Sequence, residues 1–371
     1  MNPAQPFEIF LAAPPGLEAD LAAEVAEKGF GPTTQHPGGV SFMGGWREVQ
    51  RANLELRGAG RVLARIGSFR AFHLAQLDKR SRKFDWAAYL RPDVPLRVEV
   101  ICRKSKIYHA GAASERIKRA ISETLGAPLD DTAPLRLMAR IEDDLVTFSL
   151  DTSGEPLHRR GYKEAVGKAP MRETLAAMFL RECGYDGTEP VVDPMCGSGT
   201  FPIEAAEVAL GLLPGRARHF AFEDMAGFDA RAWAAMRAGD PPRDTALRFY
   251  GFDRDAGAVR MATANAARAG VDHITEFTCQ PISALLPPEG PRGLVMVNPP
   301  YGARIGNRKL LFGLYGALGE VLRTRFRGWR VGIVTSDGGL ARATDLPFLP
   351  GATSVAHGGL KITLHRTGVL R

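Results

Sequence analysis

Two short stretches combine residue types that could hold a small polar cofactor beside a planar base. The first, Asp193-Pro194-Met195-Cys196-Gly197-Ser198-Gly199-Thr200, joins the apolar run PVV to the helix-like FPIEAAEVAL. Gly197 and Gly199 permit positive φ and leave room for a ligand against bare backbone, while the helix start offers free N–H groups. The next apolar run ends in Gly251-Phe252-Asp253, a carboxylate placed where it could grip ribose hydroxyls. The pattern departs from a dinucleotide fingerprint, because the third glycine position is Pro202 and Asp253 follows Asp193 by 60 residues. With no diphosphate to cradle, S-adenosylmethionine suits this loop better than NAD. The second stretch, Asn298-Pro299-Pro300-Tyr301, ends the apolar run GLVMV. Two prolines remove two N–H donors, so this backbone presents carbonyl oxygens only. An amide side chain beside them can accept hydrogen bonds from an exocyclic amine, and Tyr301 offers a flat face to a base swung out of its strand. The plainer alternatives are a glycine turn that tightens a connection and a proline turn that ends a strand.

Such loops need strand ends to carry them, since ligands of open parallel sheets bind beyond the carboxyl ends of the strands. The C-terminal part of the chain has the required rhythm. PVVDPM, RFYGFD, ITEFTCQ, GLVMVN and WRVGIVTS are short apolar runs, most of them followed by a helix-like segment such as DAGAVRMATANAARAG or KLLFGLYGALGEVLRTRF. This predicts a doubly wound α/β domain over residues 165–371, with LKITLHRTG as a last, antiparallel edge strand. Residues 211–247, rich in Pro, Gly, Arg and Asp, read as an insertion with helix around Arg231 to Arg237. Upstream, residues 1–60 and 61–160 each alternate strand and helix signals, predicting two small α+β pieces with antiparallel strands and a hairpin turned at Asp143-Asp144.

Composition narrows the function classes. The 371 residues carry 48 Lys+Arg and 41 Asp+Glu, with 45% hydrophobic content, which suits folded domains and excludes disorder. No run reaches the ~18 apolar residues of a membrane span, so a soluble cytoplasmic protein without membrane contact is expected. Cys102, Cys183, Cys196 and Cys279 form no CxxC pair, and His109, His158, His219, His273 and His357 show no metal spacing, so neither a disulfide framework nor a metal site is expected. Cys196 reads as a small packing residue. Charge is uneven: residues 51–123 hold 17 basic and 7 acidic side chains, a surplus of 10 that suits a polyanion, nucleic acid first. Within it, Arg103, Lys104 and Lys106 follow a strand, and Arg116, Lys118 and Arg119 lie on the next helix; all six are candidates for phosphate contact. A second surplus comprises Arg304, Arg308, Lys309, Arg323, Arg325, Arg327 and Arg330 against Glu320 alone.

Asp193 to Thr200 and Asn298 to Tyr301 resemble the cofactor loop and catalytic tetrapeptide of class I S-adenosylmethionine-dependent amino-methyltransferases. YHAGAASERIKRAI, LDTSGEPLHRRGY and APMRETLAAMF resemble the THUMP-containing RNA guanine-N2 methyltransferases, including the N-terminal half of the large fused bacterial enzyme of large-subunit ribosomal RNA and related tRNA methylases. The resemblance spans essentially the whole chain. It implies a ferredoxin-like piece, a THUMP domain and a Rossmann-like catalytic domain. By the same resemblance Asp193, Pro194, Met195, Gly197, Gly199, Thr200, Asp253, Gln280 and Asn298 bind S-adenosylmethionine, while Asn298, Pro299, Pro300 and Tyr301 carry catalysis. The implied substrate is the guanosine N2 amine of structured RNA, ribosomal in preference to transfer RNA, acted on by a monomer. Relatives usually place an acidic residue just after the third strand, where this chain reads Thr278-Cys279-Gln280-Pro281-Ile282-Ser283. Gln280 or Ser283 would then meet the cofactor adenine. An adenine-N6 methyltransferase and a non-catalytic RNA-binding assembly factor are the competing readings.

Overall fold

Alternating burial along the N-terminal strands marks a sheet with one face in a core. The computed structural model describes residues 6–164, 171–301 and 308–371. Its first unit takes in residues 6–13, 21–157 and 218–239. In chain order it begins with β1 (Phe7–Ala12), α1 (Glu18–Glu27), β2 (Thr33–His36), β3 (Gly39–Gly44), α2 (Trp46–Glu55) and β4 (Arg61–Arg70). It continues with α3 (Leu74–Arg82), β5 (Leu96–Arg103), α4 (Ala110–Leu125), β6 (Leu135–Glu142) and β7 (Leu145–Asp151). The strands form one sheet in the order β2-β3-β1-β4-β7-β6-β5. β4 pairs with β1 on one side and β7 on the other, so residues on both sides of position 60 share this sheet. The β6–β7 hairpin turns at Asp143 and Asp144, both with positive φ, as its two-residue connection requires. One expectation is corrected: β5 and β6 run parallel. The reason is the helix between them, since α4 carries the chain back to the end from which β5 started.

The second unit takes in the described parts of 14–20, 158–217 and 240–371. Its elements are α5 (Glu173–Glu182), β8 (Val191–Asp193) and α6 (Thr200–Ala209), then, after α7 (Ala230–Ala238) of the first unit, β9 (Phe249–Asp253), α8 (Ala256–Ala269) and β10 (Thr275–Cys279). There follow β11 (Leu294–Val297), α9 (Arg308–Arg325), β12 (Arg330–Thr335), α10 (Gly338–Ala343), β13 (Thr353–His357) and β14 (Leu360–Arg366). The sheet order is β10-β9-β8-β11-β12-β14-β13, parallel from β10 to β12. The doubly wound α/β expectation holds. Every residue of β8 and β11 is buried, as expected of strands covered on both faces. Side chains alternate between two cores: Leu294 and Met296 join Phe179, Phe201 and Phe249, while Val295 and Val297 join Leu311, Tyr315 and Trp329.

The last strand is antiparallel as expected, but it is not the edge. β14 lies between β12 and β13, and β13 takes the edge. Gly358 and Gly359, at φ +57° and +81°, turn a hairpin that places Ile362 and Leu364 in the core, while β13 buries only Val355. The helix expected near Arg231 is α7. Its segment joins the first unit, where the Arg218 guanidinium donates to the carbonyls of Ser153, Glu155 and Pro156, and Trp233 packs edge-on to Phe222.

Candidate active site

Parallel pairing of β8 with β9 and β11 brings Asp193, Asp253 and Asn298 to one edge of the second sheet. Val295 pairs with Val192, so Asn298 lies two residues beyond the level of Asp193, about 7 Å at the usual strand rise. The loop after β8 is fixed by short bonds. The Asp193 carboxylate accepts the Met195 N–H at 3.0 Å, the Cys196 N–H reaches the Phe252 carbonyl at 2.8 Å, and Asp253 Oδ2 accepts the Gly197 N–H at 3.0 Å. The other Asp253 oxygen accepts the Asp255 N–H at 3.0 Å. Asn265, fully buried on α8, donates to the Ser198 carbonyl at 3.0 Å.

The two glycines have different reasons. Gly199 at φ +81° is the N-cap of α6, and a Cβ there would stand 3.0 Å from Ala262 Cβ and 3.1 Å from the Phe277 ring. Gly197, at φ +52°, meets nothing within 4 Å of a built Cβ, so its open side is free for a ligand. Burial sets the charges. Asp193 is 2% exposed, and desolvation pushes its carboxyl well above the usual range, against the opposing Met195 N–H and with a further push from the nearby Asp253 charge. Burial, then the same two carboxylates, push the Cys196 thiol up, keeping it protonated and unreactive, in keeping with a packing role.

Asn298 carries the most telling atom. Its Oδ1 is buried with no hydrogen-bond partner among the described residues. Leaving such an acceptor unpaired costs about 1 to 3 kcal/mol, so among the described residues it stands open to a donor such as a bound ligand could supply. Pro299 is buried, Pro300 half-buried, and Tyr301 is half-buried with its ring packed against both cores. Gln280 follows β10 and its N–H donates to the Asp253 carbonyl at 2.9 Å, which puts its half-buried side chain next to the Asp253 strand end; Pro281 is exposed.

Residue-by-residue reading of the sequence missed Lys163 and Glu173. Lys163 Nζ donates to Thr200 Oγ1 at 2.8 Å and to the Met171 carbonyl at 2.9 Å, and pairs with Glu173 at 3.3 Å. The pair is almost fully buried, and desolvation lowers the Lys163 pKa and raises that of Glu173. The signal was that both lie in or beside the quoted stretches LDTSGEPLHRRGY and APMRETLAAMF.

The basic candidates divide. Arg103, Lys104 and Lys106 are exposed. Lys118 pairs with Asp131 at 3.1 Å and Glu115 at 3.6 Å, and Arg119 with Asp78 at 3.0 Å, so part of their charge is already matched; Arg116 is half-buried. In the second surplus Arg325 donates to the Ser283 and Leu285 carbonyls, Arg330 binds Glu189 and the Cys183 carbonyl, and Arg323 binds the Thr344 carbonyl. Those three guanidinium groups brace the unit, and Arg304 lies outside the described residues.

Residues 160–348 match the family described as RMKL-like, methyltransferase domain, and residues 8–63 match the RlmL ferredoxin-like domain. The ribosomal RNA large subunit methyltransferase K/L of Chromohalobacter salexigens is 34% identical over 364 residues, covering 92% of this chain and 50% of the relative. The chain thus spans about half the length of the curated relatives it matches. Among solved structures, that of SMU.472, described as a putative methyltransferase and complexed with SAH, aligns with a TM-score of 0.87 at 27% identity over the whole of both chains. A Listeria monocytogenes protein described as a predicted N6-adenine-specific DNA methylase aligns at 0.85 and 29% identity, over 97% of this chain and 96% of that one.

Proposed function

Because the chain belongs to the RMKL-like methyltransferase family and S-adenosylmethionine is its methyl donor, we propose that it methylates the exocyclic N2 amine of a guanosine in structured RNA, ribosomal in preference to transfer RNA. The observation that carries this reading is the buried Oδ1 of Asn298 at the end of β11, which has no partner among the described residues. The residues present fit the cofactor, since the open side of Gly197 and the Asp193 and Asp253 strand ends form a cradle beside the first turn of α6. When bound, S-adenosylmethionine supplies an electrophilic methyl group on a sulfonium.

The chain's own residues do the rest. Asp253 accepts hydrogen bonds from ribose hydroxyls, and Gln280 meets the adenine edge. Asn298 Oδ1 and the Pro299 carbonyl accept the two N–H bonds of the guanine amine. That amine is a weak nucleophile, its lone pair delocalised into the ring, and the two acceptors aim it while stabilising the positive charge that grows in transfer. Tyr301, with its ring anchored against the cores, holds the flipped base through its remaining face. On the first unit, a THUMP-like domain over 61–160 following the ferredoxin-like piece, Arg103, Lys104 and Lys106 contact phosphates, with smaller parts for Arg116, Lys118 and Arg119.

The description of the Listeria protein motivates a second reading, adenine-N6 methylation through the same tetrapeptide. Nucleoside mass spectrometry of RNA incubated with the protein and S-adenosylmethionine separates the two. N2-methylguanosine supports the proposal, N6-methyladenosine replaces it with the second reading, and no methylated nucleoside in any RNA refutes both.

A further inference from the structure

The first unit exposes large apolar side chains that the proposed reaction leaves without a role. Tyr108 is 80% exposed, Ile101 49% and Phe72 42%. Tyr108 lies between β5 and α4, in the loop that also carries Lys104 and Lys106 and begins after Arg103. Lys106 Nζ stands 5.0 Å from the centre of the Phe72 ring, and the Tyr108 ring is 5.8 Å from that of His109.

This loop is fastened in place. Asp144, in the β6–β7 turn, accepts the Lys106 N–H at 2.8 Å and the Ser105 hydroxyl at 3.1 Å. The Asp144 N–H donates to Ser105 Oγ at 2.7 Å, and the Asp144 carbonyl accepts the Ala71 N–H at 2.9 Å. Four bonds therefore tie the backbone before Phe72, the basic loop and the hairpin turn into one support. Lys104 and Asp144 hold positive φ, at +44° and +62°, a conformation that costs energy for residues with a Cβ and that these bonds help to maintain.

A ring held out in water on a braced loop gains nothing from folding, but it makes a platform for a planar partner. Its surroundings select the partner: Arg103, Lys104 and Lys106 have no carboxylate pairing among the described residues, so the partner carries negative charge as well as flat apolar faces. Unpaired nucleotides have both. We propose that Tyr108 stacks unpaired bases of the RNA substrate while Arg103, Lys104 and Lys106 neutralise their phosphates. This rests on RNA being the substrate and goes further, because phosphate contact alone would accept a duplex equally well.

The test is binding of two labelled RNAs of equal length, a hairpin with a large loop and a blunt duplex, measured over a range of salt. Tyr108→Ala should weaken hairpin binding by about five- to 150-fold, the loss of one base stack, with duplex affinity and the salt slope unchanged. Tyr108→Phe, which keeps the ring, should bind as the parent does. Thermal unfolding of Tyr108→Ala should match the parent, since the side chain is exposed. If hairpin affinity survives Tyr108→Ala while the parent shows steep salt dependence, or if both RNAs lose affinity equally, stacking is overturned and the phosphate reading stands. If the parent binds neither RNA, the reading beneath it fails as well.

Discussion

Replacing Asn298 by alanine should move stability and catalysis in different directions. Without ligand the Asn298 Oδ1 is buried with no partner among the described residues, a condition that costs about 1 to 3 kcal/mol, so removing it should leave the melting temperature unchanged or raise it. During transfer the same atom faces an amine whose charge is growing. Loss of one such preorganised group typically costs about 2.7 to 4 kcal/mol, a fall in kcat of about a hundred- to a thousandfold. The cofactor cradle is held by Asp193 and Asp253 on neighbouring strands, so S-adenosylmethionine affinity should stay near the parental value. Thermal unfolding without cofactor, titration calorimetry with S-adenosylmethionine and single-turnover methyl transfer to saturating RNA give the three numbers. Turnover within about threefold of the parent would refute the role of the tetrapeptide, and a large drop in melting temperature would show that Oδ1 is paired inside the fold.

Asp253→Ala should weaken S-adenosylmethionine binding by about 1.5 to 3 kcal/mol, since it removes a charged acceptor and also frees the Gly197 N–H; an unchanged dissociation constant would move the site away from β9. Replacing Arg103, Lys104 and Lys106 together by alanine should lower the salt slope of RNA binding by up to about 0.7 to 0.9 per lost phosphate contact while cofactor affinity holds, and an unchanged slope would mark the loop as a solvated surface. Asp193→Asn tests the buried carboxylate. Burial raises its folded pKa above the unfolded value of about 3.9, so the parent loses stability as pH rises from there through the raised value. The ligand-free asparagine variant should therefore be more stable than the parent at neutral pH, with the gap closing toward pH ~4 in thermal scans; a gap that is constant with pH would contradict this origin.

What the sequence determined by itself was local. The strand ends, the glycine loop and the Asn-Pro-Pro-Tyr turn are written in contiguous residues, and so is the type I′-compatible pair Asp143-Asp144, because backbone preference and apolar runs act over a few positions. α6, α8 and α9 follow from helical spacing for the same reason. The tertiary structure decided which distant segments meet. It set β5 parallel to β6, moved β14 inside β13, assigned residues 218–239 to the first unit and seated Lys163 on Thr200. It also divided the cations, since folding brings an acceptor to Lys118 and to Arg325 but, among the described residues, no carboxylate to Arg103. These outcomes depend on burial shared between residues far apart in the chain, and on partners that no local window contains. The Asn298 oxygen belongs to the same class: the amide is legible in the sequence, but only the packed sheet end shows that it is buried with no partner among the described residues.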